Sequence, residues 1–124
     1  MVRKAEKKDL EILANLAILM WNNHSVNELI AEFSETISNG NSQFFLKYIG
    51  DIPIGFAQCQ LRYDYVEGTK TTPVGYLEGI FIKDRYRNKG YANELLEACE
   101  SHRNRKSRKN ITFMRLFWYS FFAV

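Results

Sequence analysis

A chain of 124 residues, 46% hydrophobic and 25% charged, is long enough for one domain with a hydrophobic core and too short for two, and this composition excludes wholesale disorder and a fibrous repeat. The net charge of +3 is unevenly placed: up to Glu100, 11 Lys and Arg stand against 14 Asp and Glu, whereas the remaining 24 residues carry six bases and no acid. An acidic body favours small cationic partners over phosphate polymers, so no nucleic acid is expected as a partner, with a binder working through the basic, aromatic tail kept as a rival.

Met1 to Glu6 leads into charge without an apolar leader, and the apolar end Ile111 to Val124 is interrupted by Arg115 and falls short of the roughly 20 residues of a membrane span. The expectation is a cytoplasmic protein without a membrane partner. Cys59 and Cys99 have no companions at metal spacing, so they read as reduced thiols packed as small hydrophobes, with no metal.

In chain order, Asp9 reads as the N-cap of a helix whose apolar residues Leu10, Leu13, Leu16, Ala17 and Met20 recur at helical spacing, ending near Trp21 to His24. Ser25 with Glu28 three residues on forms a capping box for a second helix, apolar at Leu29, Ile30, Phe33 and Ile37 and stopped at Asn39-Gly40-Asn41. The period then changes to two. Gln43 to Ile49 and Pro53 to Tyr65 are predicted strands joined by Gly50 to Pro53, Val66 to Pro73 is a polar excursion, and Val74 to Ile82 is a third long strand. A donor-rich loop, Lys83 to Gly90, leads into a helix predicted over Tyr91 to His102. From Ser101 to Asn110 bases alternate with polar residues and no apolar face is present, and Ile111 to Val124 is crowded with aromatics. Residues 1–100 therefore read as the folded domain and 101–124 as an atypical tail.

A strand that runs through a glycine-containing loop into a helix gathers unpaired main-chain N–H groups at the positive end of the helix dipole, which makes an anion cradle. Arg87, Asn88, Lys89, Gly90, Tyr91 and Ala92 form that loop, with Arg87 and Lys89 adding charge. Glu78, taken by alternation to share a strand face with Tyr76 and Ile80, stands where an apolar residue is expected; a carboxylate there is costly unless paired, for instance with Arg62, or used as a proton acceptor. Gly79, inside a strand, suggests a bulge, with simple packing as its alternative.

The string Arg87-x-x-Gly90-x-Ala92 between strand and helix resembles the acyl-CoA pyrophosphate loop of the Gcn5-related N-acetyltransferases. The order helix, helix, three antiparallel strands, loop, helix is also that family's, with Met1 to Ala5 as its short first strand. The resemblance covers about residues 1–100. Within the superfamily the chain is most similar to the aminoglycoside 6'-N-acetyltransferases, through Trp21-x-x-His24, Ile54-Gly55-Phe56-Ala57, Asp64-Tyr65-Val66-x-Gly68 and Leu77-Glu78-Gly79-Ile80-Phe81. The resemblance implies an α/β fold with a mixed, mainly antiparallel sheet and flanking helices, and acetyl-CoA as co-substrate. It implies that the pantetheine arm lies beside Ile80, Phe81 and Ile82, with Arg87 to Ala92 on the pyrophosphate. Trp21, His24, Tyr65 and Glu78 would line the aminoglycoside site, and Glu78 would take the proton.

After their helix at Tyr91 to His102, such enzymes continue with a strand, a helix and a final strand pair that supply an acid and a tyrosine; no motif in this chain matches either. The abrupt change at Ser101 reads as a C-terminal truncation or reading-frame shift, with reduced or lost activity. A truncated sheet would leave apolar area uncovered, so a homodimer or higher homo-oligomer, formed through the aromatic tail, is expected. The rivals are an acetyltransferase for a polyamine or peptide amine and an inactive oligomeric remnant.

Overall fold

Side chains of the long strands alternate between two clusters, so one sheet divides the core into two layers. Phe44 and Leu46 point to a cluster with Leu13, Leu16, Leu29, Phe33, Phe56 and Phe81, whereas Phe45 joins Ala57, Cys59, Leu77, Ile80, Ile82, Leu95 and Cys99. The computed structural model describes residues 1–40, 42–62, 74–107, 113–115 and 122–123, with side chains described for 1–40, 42–60 and 77–101. Their order is β1 (Val2–Lys4), a 3-10 turn (Lys7–Asp9), α1 (Leu10–Ala17), α2 (Val26–Asn39), β2 (Ser42–Ile49), β3 (Ile52–Arg62), β4 (Val74–Ile82), a second 3-10 turn (Asp84–Tyr86), α3 (Tyr91–Ser107), β5 (Phe113–Arg115) and β6 (Phe122–Ala123). The sheet order is β1-β2-β3-β4-β5 with β6 also on β4; the first four strands are antiparallel, and β5 and β6 run parallel to β4. α1 and α2 cover one face and α3 the other. This is the expected mixed, mainly antiparallel α/β sheet with flanking helices.

α2 begins and ends where its sequence says. The Glu28 amide donates to Ser25 Oγ at 3.1 Å, and Gly40 closes the helix in the left-handed conformation. α1 is shorter than its apolar spacing implies: the amides of Leu19 and Met20 reach back three residues, to Leu16 and Ala17, so the last turn tightens and the helix ends at Ala17. Asp9 stands at the N-cap position of α1 without capping it. Its carboxylate accepts from the Glu6 amide at 2.8 Å and from both terminal nitrogens of Arg3 at 2.7 and 2.8 Å. α3 runs past the expected end at His102 to Ser107. Arg and Lys are good helix formers and their charge is favoured at a helix C-terminus, so these turns need no apolar face of their own. Cys59 and Cys99 are buried thiols within the α3 layer, as expected.

The Arg3–Asp9 pair ties β1 to the start of α1 and gives a pH prediction. Arg3 holds the Asp9 carboxyl below its ordinary value, aided by the Glu6 amide and against the effect of burial. A depressed carboxyl contributes stability that is complete above its unfolded pKa, near about 4, and is lost as the pH falls through the lower folded value. Asp9→Asn should cost about 1.5–3 kcal/mol at neutral pH, and acid titration of unfolding should show a smaller loss in the variant than in the parent; equal slopes would contradict it.

Candidate active site

β3 and β4 pair out of step at one point. Gln58 pairs with Gly79 and Cys59 with Leu77, which leaves Glu78 as the extra residue of a β-bulge. The bulge suggested by Gly79 is present. It also corrects the expected placement of Glu78. Leu77 and Ile80, three residues apart, both pack in the α3-side cluster, so the alternation that put Glu78 on a face with Tyr76 and Ile80 does not run through this point. Glu78 is half-buried, between buried Leu77 and buried Gly79.

Beyond the bulge, β4 ends at Ile82 and the chain turns into α3. The first bond of the α3 ladder is donated by the Glu94 amide to the Gly90 carbonyl, so the amides of Tyr91, Ala92 and Asn93 precede the ladder and face the entry of the helix. Asn88 (φ +64°) and Gly90 (φ +84°) both lie in the left-handed region, a backbone form that gathers successive N–H groups into a concave, anion-attracting surface. Arg87 behaves differently from the free cation expected of it. Its Nε donates to the Ile82 carbonyl at 2.7 Å, one of its terminal nitrogens pairs with Asp84 at 2.5 Å, and its guanidinium lies 5.6 Å from the Phe81 ring centroid. It ties the loop to the end of β4, and Asp84 offsets its charge. Lys89 is exposed.

Sequence reasoning missed what holds α3 on the sheet. Lys47 of β2 is buried, its Nζ 3.0 Å from Glu94 Oε1 and 4.7 Å from the Tyr91 ring centroid. Both contacts fall in the first turn of α3, so this ammonium fixes the helix end that carries the cradle. Burial works against the charge, but the hydrogen bond and charge of Glu94 outweigh it, and the Lys47 pKa is raised. The signal was available: a lysine within Phe44-Phe45-Leu46-Lys47-Tyr48 is as conspicuous as Glu78. Removing the acid leaves a buried cation without its counter-charge, whereas an apolar isostere removes charge and need together. Glu94→Ala should therefore cost roughly 1–2 kcal/mol in denaturant unfolding, moderated because Glu94 is 45% exposed; Lys47→Met should cost less. The reverse order would sink this account.

Of the remaining expected residues, Trp21 and His24 fall among the described side chains. Trp21 packs edge-on against Phe33 and Phe56 at 6.3 and 6.1 Å, and Phe56 stands 6.2 Å from Phe81, so Trp21 belongs to the aromatic core of the α1/α2 layer. His24 is exposed at the start of α2, its Nδ1 3.6 Å from Glu28. Tyr65 lies outside the described residues, as does Asp64. An open groove of about 390 Å³ runs between Leu19, just past α1, and the loop after β4, lined by Leu19, Phe81, Lys83, Asp84, Arg85 and Arg87. Its polar lining is mainly basic and suits an anion. No group of three or more His, Cys, Asp or Glu side chains capable of holding a metal ion occurs among the described residues, and no described helix is long and apolar enough to cross a membrane.

The outer edge of β4 is not bare. β5 pairs with Gly75, Tyr76 and Leu77, and β6 pairs with Ile80 and Phe81. Residues of the expected tail thus return to the β4 edge within the same chain.

A mixed sheet whose bulged strand ends at an amide cradle on a helix N-terminus sets an extended strand edge beside an anion-attracting helix end. The model of the acetyltransferase (GNAT) family matches residues 5–116, and the chain belongs to that family. It is 31% identical over 99 residues to an aminoglycoside N(6')-acetyltransferase type 1 of Salmonella enteritidis, an alignment covering 80% of this chain and 68% of that protein. It is 35% identical over 86 residues to the protein of that name from Acinetobacter baumannii, covering 68% of this chain and 58% of the relative. The chain thus spans about two thirds of the length of such relatives. Among solved structures, AAC(6')-Iy in complex with the bisubstrate analog CoA-S-monomethyl-acetylneamine superimposes with a TM-score of 0.80 at 27% identity, covering 95% of this chain and 79% of that one. The aminoglycoside 6'-N-acetyltransferase AAC(6')-Ih of Acinetobacter baumannii gives 0.77 at 26%, with coverages of 94% and 80%.

Proposed function

We propose that this chain binds acetyl-CoA along β4 and transfers its acetyl group to the 6'-amino group of an aminoglycoside. The single observation that carries the reading is the sequence of bulge, strand end and amide cradle from Glu78 to Ala92, together with relatives named for this activity. The residues suit the co-substrate. The amides of Tyr91, Ala92 and Asn93 and the left-handed turn at Asn88 and Gly90 would hold the pyrophosphate, Lys83 and Arg85 would favour its approach, and the β4 backbone from Ile80 to Ile82 would align the pantetheine arm. Arg87 acts as a brace of the loop. In the transfer, Glu78 accepts a proton from the substrate ammonium, directly or through water; the freed amine attacks the thioester carbon, donors near Ile80 stabilise the oxyanion, the carbon–sulfur bond breaks, and the departing CoA sulfur takes the second proton that the nitrogen sheds as it becomes the amide, so that CoA leaves as the thiol. Trp21, His24 and Tyr65 remain the proposed lining for the sugar rings, an assignment that the family resemblance implies.

The test pairs binding with turnover. Calorimetry with acetyl-CoA should give saturable binding that Gly90→Trp abolishes. Gly90→Ala should weaken binding only modestly, because a Cβ at Gly90 meets nothing within 4 Å and the remaining cost is the left-handed backbone, about 1–2 kcal/mol. Thiol release should be faster with a kanamycin-type aminoglycoside than with spermidine. Absence of acetyl-CoA binding would refute the reading, and a preference for spermidine would move it to the rival amine class. A second reading, a chain that turns nothing over, is favoured by β6 on the strand edge. Self-association is not required to cover that edge, so sedimentation as a monomer is compatible with the proposed activity.

A further inference from the structure

The main-chain groups of β4 beyond the bulge have two neighbours. On the inner edge Ala57 and Phe56 of β3 pair with Ile80 and Phe81; on the outer edge Phe122 and Ala123 of β6 pair with the same two residues, in parallel. One strand edge accommodates one extended chain, because its outward N–H and C=O groups serve a single neighbour at a time. We propose that β6 and acyl-CoA are mutually exclusive occupants of the β4 edge at Ile80–Phe81, so that the C-terminal strand of this chain competes with the thioester-bearing arm. The inference rests on the acyl-CoA site proposed above.

The arrangement of pairs carries it. β5 ends at Arg115, opposite Leu77, the last residue before the bulge, and β6 begins opposite Ile80. Glu78 and Gly79 thus separate two docked segments on one edge, and the second lies where a thioester carbonyl would meet donors turned outward by the bulge. β6 is only two residues long. So short a strand offers few hydrogen bonds, and a ligand that brings amides for this edge and phosphates for the α3 N-terminus can displace it. The described pairs of β6 involve Ile80 and Phe81 and not the loop Arg87 to Ala92. A nucleotide without the arm therefore has no quarrel with β6.

That difference makes the test selective. The 124-residue chain carrying Phe122→Pro and Ala123→Pro loses the amide donors of β6. It should bind acetyl-CoA about tenfold more tightly than the parent, since the competent state is no longer reduced by β6 docking, and should bind adenosine 3',5'-bisphosphate equally well. Reciprocally, acetyl-CoA added to the unmodified chain should speed amide exchange at Phe122 and Ala123, a measurement independent of how the variant folds. Equal or weaker acetyl-CoA binding by the variant, with unchanged exchange in the parent, overturns the competition and leaves the acyl-CoA site standing. Failure of both chains to bind acetyl-CoA overturns the site itself and the competition with it.

Discussion

Glu78→Gln should lower the turnover number for acetyl transfer by about 10²–10³-fold while acetyl-CoA affinity stays within about twofold. The expectation follows from where Glu78 sits. It is the extra residue of the β4 bulge, between the Gln58–Gly79 and Cys59–Leu77 pairs, and it directly precedes the stretch proposed to hold the thioester arm. A residue needed only for packing would change stability and affinity together. A proton acceptor changes kcat, and its loss has a signature in pH: the substrate amine is an ammonium at neutral pH, so the deficit of the glutamine variant should shrink as the pH rises through the amine's own pKa. The measurement is kcat and KM for both chains across that range. A deficit independent of pH, or one carried by KM for acetyl-CoA, would remove Glu78 from proton transfer.

Gly55→Ala should destabilise the sheet at the β3–β4 seam. A Cβ built at Gly55 stands 2.5 Å from the Phe81 carbonyl oxygen and 2.6 Å from Ile82 Cδ1, and the first of these is backbone that cannot swing aside. Gly55 pairs with Ile82, so relief requires β3 and β4 to separate at the end of β4, where Arg87 Nε holds the Ile82 carbonyl and the loop begins. Overpacking of this kind costs about 1–3 kcal/mol. Denaturant unfolding should show that loss, and acetyl-CoA binding should weaken with it because the strand end and the cradle move together. A variant of parental stability would mean that the two strands are not held at this spacing.

Much of this architecture was legible before any coordinates. The capping residues Ser25 and Glu28 located the start of α2, the change of period at Gln43 located the sheet, and the glycine loop before Tyr91 located the cradle, because each signal is written within one turn or one strand. The family string around Arg87 to Ala92 gave the layered fold. What was not legible depends on partners far apart in sequence. The face of Glu78 was misread because one extra residue in β4 cancels the alternation, and the bulge exists only in relation to β3. Arg87 looked like a free phosphate ligand, and its tether to Ile82 and Asp84 needs the loop to fold back. The end of α3 at Ser107 was hidden because helix-forming bases need no apolar face.

By itself, then, the sequence determined where α2, the three long strands and the glycine loop before α3 lie, since those follow from capping residues, backbone preferences and hydrophobic period, while the layered fold came through the family resemblance. Only the tertiary structure decided how the functional groups are tuned. It set Lys47 under Glu94 and Tyr91, turned Trp21 into the aromatic core, and laid β6 on the β4 edge at Ile80 and Phe81. The reason is physical: burial, charge pairing and edge occupancy are properties of pairs of residues brought together by folding, and no local period encodes them.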